Sequence, residues 1–310
     1  MATSKSINIV IIGTLDTKLA EFLYLRSQIL DANPSINIIL VDAGRSATTH
    51  DAITITQPEV YQHAVGSEGA SSKTLGSLPR GEVIKTMIKG ATSVVKGLLD
   101  ISNDGGGEGG GKGVHGVVSL GGSGGTSIAA AVMRSLPLML PKLIVSTVAS
   151  GDTSSYVAES DITMMYSVVD IAGLNEVLRT VIRNAALAIA GMAQGYYEVQ
   201  RATAMTGRAL HDRKKGIGIT MFGVTTPAAN VARRFLDAQG FEVYVFHATG
   251  AGGRASKYLI AYWRTILVSI HAYIPRRQFD LMQCIWQYNL ERKQQLAEEN
   301  PNLRESVTCC

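Results

Sequence analysis

Cysteine is scarce in this chain. Three residues in 310, Cys284, Cys309 and Cys310, all lie near the C-terminus, which excludes a disulfide framework and offers no zinc-ligand spacing. Aromatic residues make up 6% of the chain, and none forms a base-stacking motif. Charge is sparse too, at 17% with a net +4, and no lysine–arginine block suggests a nucleic-acid stripe. No apolar run approaches the roughly 18 residues of a membrane span. The apolar residues 8–12 pass at once into polar GTLDTK, unlike a signal peptide. These absences predict a soluble, cytoplasmic protein with neither nucleic-acid nor membrane partners.

What the chain has is core material, 46% hydrophobic, laid out as short apolar runs between helical patterns. Residues 7–13 (INIVIIG), 36–43 (INIILVDA), 116–120, 141–148 (PKLIVSTV) and 162–171 (ITMMYSVVDI) read as strands. The first is continuously apolar, as a strand buried on both faces requires. Residues 18–32, 81–101 and 174–193 read as helices, and 44–80 as loop with short elements. DGGGEGGGKG at 104–113 has the composition of a surface linker. The pattern restarts with strands at 216–223 and 241–248 around a helix at 225–238. Repeated βα units imply parallel sheets covered by helices. The expectation is therefore an α/β protein with two Rossmann-like lobes. A nucleotide-binding lobe would span 1–195 and a linker 196–215. The start of an incomplete second lobe would follow at 216–257, then a divergent helical tail at 258–310. Within that tail, residues 277–299 would form an amphipathic helix.

Residues 117–132, VVSLGGSGGTSIAAAV, carry the strongest chemical signal. A β-branched run ends at Leu120; Gly121, Gly122, Ser123, Gly124 and Gly125 follow; Thr126 and Ser127 open an alanine-rich helical pattern. A strand, a side-chain-free turn and a helix start aim backbone N–H groups at an anion from the positive end of a helix. Glycines allow close approach and positive φ. The lysine of a Walker loop is missing and GxGxxG does not fit. A tight turn with no ligand satisfies the same pattern.

Ligands in such sheets bind beyond the carboxyl ends of the strands, and other polar clusters fall there. After the first strand, Thr14 and Thr17 can donate to phosphate and Lys18 can pair with it. Asp16 can hold magnesium or a ribose hydroxyl, or else cap the helix. After the second strand, Asp42 and Arg45 suit a ribose contact or an internal ion pair. After the fourth, Ser150 and Gly151 offer a hydroxyl and an N–H, or form a plain turn. His247 reads as a packed strand-end residue. No nucleophile elbow, catalytic triad order or metal-ligand spacing stands out, which favours binding over catalysis.

The segments GTLDTK, SLGGSGGTS, STVASG, SVVDI, GITMFGVTTP and VFHATGAGGRA, in this order between residue 7 and Ala255, resemble one family. It includes the ATP-binding N-terminal domain of the tomato protein that inhibits tomato mosaic virus RNA replication. The resemblance implies a two-lobed α/β fold, ATP with Mg2+ in the first lobe, a homodimer, and in the tomato case binding to the helicase region of the viral replicase. By motif, Thr14, Asp16, Lys18 and Gly121 to Thr126 become nucleotide-site candidates, joined by Ser150 and Gly151. Asp16 is the magnesium candidate. Met164 and Tyr166 could border the base, although core positions suit them as well. The alternatives are a metabolic enzyme using ATP or a phosphorylated metabolite, and a truncated inactive form.

Overall fold

The computed structural model describes residues 7–66, 75–100, 113–205, 214, 216–248, 252, 254–255 and 266–269. The chain divides into two units between Arg213 and Lys214.

In the first unit β1 (Ile7–Gly13), α1 (Leu15–Ala32), β2 (Ile36–Asp42), α2 (Gln57–Val65) and α3 (Arg80–Asp100) come first. They are followed by β3 (Val114–Gly121), α4 (Ser123–Arg134), β4 (Lys142–Ser146), α5 (Ser154–Val157), β5 (Thr163–Tyr166) and α6 (Glu176–Met205). The five strands form one sheet in the order β2-β1-β3-β4-β5, parallel throughout. Both β1 and β3 are buried at every position, because helices cover both faces. Val10, Ile12 and Val117 alternate to one side and pack with Val83 and Met87 of α3 and Ile128 and Val132 of α4. Ile9, Ile11, Val118 and Leu120 face the other side, against Phe22 and Leu25 of α1 and Leu178 and Ile182 of α6. Each such buried side chain stabilises the fold by about 1.5–3 kcal/mol.

This strand order places a topological switch between β1 and β3. The chain leaves β1 into α1 on one face and leaves β3 into α4 on the other. A crevice opens between neighbouring loops that diverge in this way.

Several expectations shift in detail. The strand expected at 162–171 ends at Tyr166. Val169 N–H turns back to the Ser167 carbonyl at 2.7 Å around Val168, whose φ is 65°. The helix expected at 174–193 continues to Met205, through the first half of the segment read as a linker. Residues 57–65 of the expected loop form α2, where the Glu59 carboxylate accepts from the N–H and hydroxyl of Thr56 at 2.7 and 2.6 Å and Pro58 suits the first turn. The glycine run at 104–112 lies outside the described residues.

The second unit contains β6 (Gly216–Met221), α7 (Thr226–Ala238), β7 (Glu242–His247) and β8 (Ile266–Ser269), with a parallel sheet in the order β7-β6-β8. Ile217 and Ile219 are buried with Ala229 of α7. β8 falls in the stretch expected to be a helical tail and instead adds a strand beside β6. The amphipathic helix expected at 277–299 lies outside the described residues. Among the described residues, no helix is long and apolar enough to cross a membrane.

Candidate functional site

The carboxyl ends of β1, β2, β3 and β4 bring most of the candidate residues to one edge of the first sheet. At the switch point, Gly121 closes β3 and Gly122 precedes α4, its carbonyl accepting from Thr126 N–H at 2.9 Å. None of the glycines from 121 to 125 has positive φ, so left-handed backbone is not what the turn demands. Proximity is. A Cβ on Gly121 would stand 3.2 Å from the Gly125 Cα, and one on Gly124 would stand 3.3 Å from Arg80 Nη2. Ser123 is exposed at the first position of α4, and its carbonyl accepts from the Ser127 hydroxyl at 2.8 Å. Thr126 is fully buried; its hydroxyl meets the Ser146 hydroxyl at 2.6 Å and the Gly121 carbonyl at 3.4 Å. That side chain ties α4 to the end of β4.

Thr14 faces the same turn, its hydroxyl 3.9 Å from where a Gly125 Cβ would stand and 3.3 Å from the Thr17 hydroxyl. Asp16 reaches across to the loop after β2. Its Oδ2 accepts the N–H groups of Arg45 and Ser46, each at 3.1 Å. Its Oδ1 is buried with no hydrogen-bond partner and would lie 2.7 Å from a Cβ on Gly44. Gly44 is therefore the residue that admits this carboxylate to the loop. Lys18 interrupts α1 with φ −140° and ψ 29°, and its ammonium donates to the Ile171 carbonyl. Together with Glu21, which accepts from Gly173 N–H at 2.7 Å, it anchors the segment after β5 to α1.

Asp42 and Arg45 do not pair with each other. An ion pair does form elsewhere in this unit, between Lys142 and Asp161. Asp42 is fully buried and accepts N–H groups from Leu15 at 3.3 Å, Gly44 at 2.9 Å and Thr48 at 3.3 Å. Burial pushes its pKa up, against those hydrogen bonds and with the help of the neighbouring Asp16 charge. It thus satisfies the first N–H of α1, a task that Thr14 in the cap position leaves undone. Arg45 Nη2 donates to the carbonyls of Gly76 at 2.6 Å and Leu78 at 3.0 Å.

Ser150 and Gly151 are exposed at the end of the single turn Thr147–Ser150 after β4, where Gly151 N–H donates to the Val148 carbonyl at 3.2 Å. Nearer the glycines is Thr147, its hydroxyl 3.7 Å from where a Gly122 Cβ would stand. Met164 packs partly buried against the first core layer, and Tyr166 is 42% exposed at the end of β5.

Sequence reasoning passed over Arg80 and Thr147. Arg80 opens α3, is exposed, and has no hydrogen-bond or carboxylate partner among the described residues. Its place in the chain, more than forty positions before the glycine turn, gave no cue. The Pro79-Arg80-Gly81 start of the helical pattern was the one available signal.

The arrangement defines a class: a parallel α/β domain whose strand order switches beside a glycine-lined helix start, with a free guanidinium above it. The chain belongs to the uncharacterised protein family UPF0261, whose N-terminal domain profile matches residues 7–198 and whose C-terminal domain profile matches residues 214–265. The family likeness thus runs past Ala255, where the motifs stop. A UPF0261 protein of Clostridium tetani is 42% identical over 254 residues, covering 81% of this chain and 56% of its own length. From Solanum lycopersicum, the ToMV resistance protein Tm-1(GCR237) and the ToMV susceptible protein tm-1(GCR26) are each 37% identical over 84% of this chain and 34% of their own length. The chain spans about half the length of its bacterial relatives and about a third of the tomato proteins. Among solved structures, MurG of Acinetobacter baumannii aligns at 12% identity over 87% of this chain and 67% of that one, with a TM-score of 0.28.

Proposed function

We propose that the first unit binds a nucleoside triphosphate, ATP with Mg2+, at the β1/β3 switch point, and that the loaded unit serves as a binding module for a protein partner. One observation carries this reading: the Arg80 guanidinium, free of partners among the described residues, overlies Gly124 in the first turn of α4. Backbone N–H groups, the positive end of a twelve-residue helix and a guanidinium fork then converge on one place. Such donors suit a phosphate group. Thr14 and Thr147 supply hydroxyls at its rim. The orphaned Oδ1 of Asp16 is the carboxylate oxygen left to meet a cation that accompanies the phosphates. Magnesium would neutralise phosphate charge there.

The partner reading rests on the tomato relatives. Names that denote resistance and susceptibility to ToMV support a tobamovirus-related role; the helicase region of the viral replicase is the partner proposed from the family resemblance. Identity to the two tomato proteins is the same, 37%, so overall similarity does not separate the resistant from the susceptible form.

Calorimetry with ATP and Mg2+ on the purified chain tests the site; binding to wild type and clearly weakened but measurable binding in Arg80→Ala are the expected results. Sustained hydrolysis of the bound ATP would favour an enzyme instead. Pull-down with a tobamovirus helicase domain, with and without ATP, tests the partner. No capture in either state would leave nucleotide binding alone.

A further inference from the structure

The sequence offers Arg45, at the end of β2, either a ribose contact or a pair with Asp42, yet its guanidinium is spent on other protein groups. Nη2 donates to the carbonyls of Gly76 and Leu78 at 2.6 and 3.0 Å. Those carbonyls belong to the turn that leads directly into α3. Two residues beyond Leu78 stands Arg80, whose guanidinium overlies Gly124. The Pro79 carbonyl between them accepts the N–H groups of Glu82 and Val83 at 2.9 and 3.0 Å, so the path from Leu78 into the helix is short and hydrogen-bonded.

The other end of the chain of contacts is equally defined. Arg45 N–H is held by Asp16 Oδ2 at 3.1 Å, and its carbonyl accepts from Gln57 Nε2 at 3.4 Å. Asp16 itself follows β1. A continuous series of contacts therefore runs from the end of β1 through Asp16, Arg45, and the Gly76 and Leu78 carbonyls to Arg80 over the glycine turn after β3. Neither end of this series is near the other in sequence.

We infer that Arg45 is a positioning residue: it clamps residues 76–78 so that Arg80 is held over the α4 N-terminus, and it contacts no ligand itself. This rests on the phosphate reading of the site given above. The clamp restricts where a long, flexible guanidinium can go, so less conformational freedom has to be given up when an anion arrives. Asp16 then serves the site twice, by fixing the Arg45 backbone and by keeping a buried Oδ1 without a hydrogen-bond partner.

The test is a double-mutant cycle on ATP affinity with Arg45→Ala, Arg80→Ala and both together, beside amide hydrogen exchange of residues 76–81. Arg45→Ala is expected to weaken ATP binding by about tenfold, the loss of two charge-assisted hydrogen bonds, and to speed exchange at 76–81 only. In the Arg80→Ala background the same change should cost nothing more, because its effect passes through Arg80. An equal loss in both backgrounds would mean direct contact or general damage, and would overturn the proposal. Unchanged exchange at 76–81 in Arg45→Ala would overturn it as well. Should wild type take up no ATP, the nucleotide reading fails, while the exchange measurement still decides whether the clamp exists.

Discussion

Arg80 Nη2 stands 3.3 Å from the point where Gly124 would carry a Cβ, although 44 positions of sequence separate the two residues. Alanine at 124 needs the guanidinium to give way by a few tenths of an ångström, and the end of a long side chain can do so. Aspartate is different. Gly124→Asp would place a carboxylate where the phosphate is proposed to sit, and would pair it with the cation meant for the ligand. ATP affinity is expected to fall by at least about a hundredfold, some 2.7 kcal/mol, with the unfolding midpoint little changed. Calorimetry beside a melting curve checks both; equal affinity in Gly124→Asp would remove the turn from the site.

Gly13 and Phe22 make a steric prediction about the fold itself. A Cβ on Gly13, the last residue of β1, would stand 1.8 Å from Phe22 Cζ, and Phe22 is fully buried. Gly13→Ala should therefore destabilise the first unit by about 1–3 kcal/mol or more through overpacking. Adding Phe22→Leu should recover part of the loss. Denaturant titrations of the single and double variants measure it, and strictly additive effects would show that the two sites do not share the space.

His115 makes stability depend on pH. It is buried on β3, at the irregularity where β3 and β1 slip register, and its Nδ1 accepts the Asn8 N–H at 2.9 Å. The Tyr197 ring meets it edge-on at 5.1 Å. Burial holds its pKa below the ordinary 6.5. The unfolded chain thus takes up this proton at a higher pH than the folded one. The stabilising contribution is complete above about pH 6.5 and is lost progressively as the pH falls below it. In His115→Asn, whose amide oxygen can accept the same N–H, this part of the pH dependence should vanish. Unfolding free energy measured from pH 7.5 to 5 is the check.

Lys142 has no exposed side-chain surface and gives its three donors to the Pro137 carbonyl, the Leu140 carbonyl and Asp161 Oδ1, at 2.7, 3.0 and 2.6 Å. Burial lowers its pKa, against the opposing pull of Asp161. Asp161→Asn leaves the buried ammonium without its countercharge and should destabilise the first unit by about 1–3 kcal/mol. The figure is below that for a fully buried pair because Asp161 remains 40% exposed. Thermal unfolding of the variant would show the loss, and an unchanged midpoint would count against a structural role for the pair.

How much of this was legible beforehand differs element by element. Continuous apolar runs bounded by glycine or polar clusters located β1, β2, β3, β6 and β7 within a few residues. Burial on both faces is plainest as the cause in β1 and β3, buried at every position, whereas β7 has the same composition while only partly buried. β5 was overread: Ser167, Val168 and Val169 have strand composition, and only the hydrogen bond back to Ser167 ends the strand. The candidate residues read as a set at strand ends, and the structure brings most of them to one sheet edge, but the separate contacts each makes were not legible. Asp42 and Arg45, three positions apart, suited a ribose contact or a mutual pair equally, whereas one is drawn inward to backbone N–H groups and the other outward to the turn before α3.

Sequence by itself determined the parallel α/β class, the family and the glycine turn, since periodicity and side-chain-free runs are local properties of the chain. The tertiary structure alone decided which polar groups meet. Arg80 reaches Gly124, Asp16 holds the loop after β2, and Arg45 turns to Gly76 and Leu78. Each of these contacts joins loops from different strands, and only the packing of helices on both faces of one sheet brings those loops to the same edge.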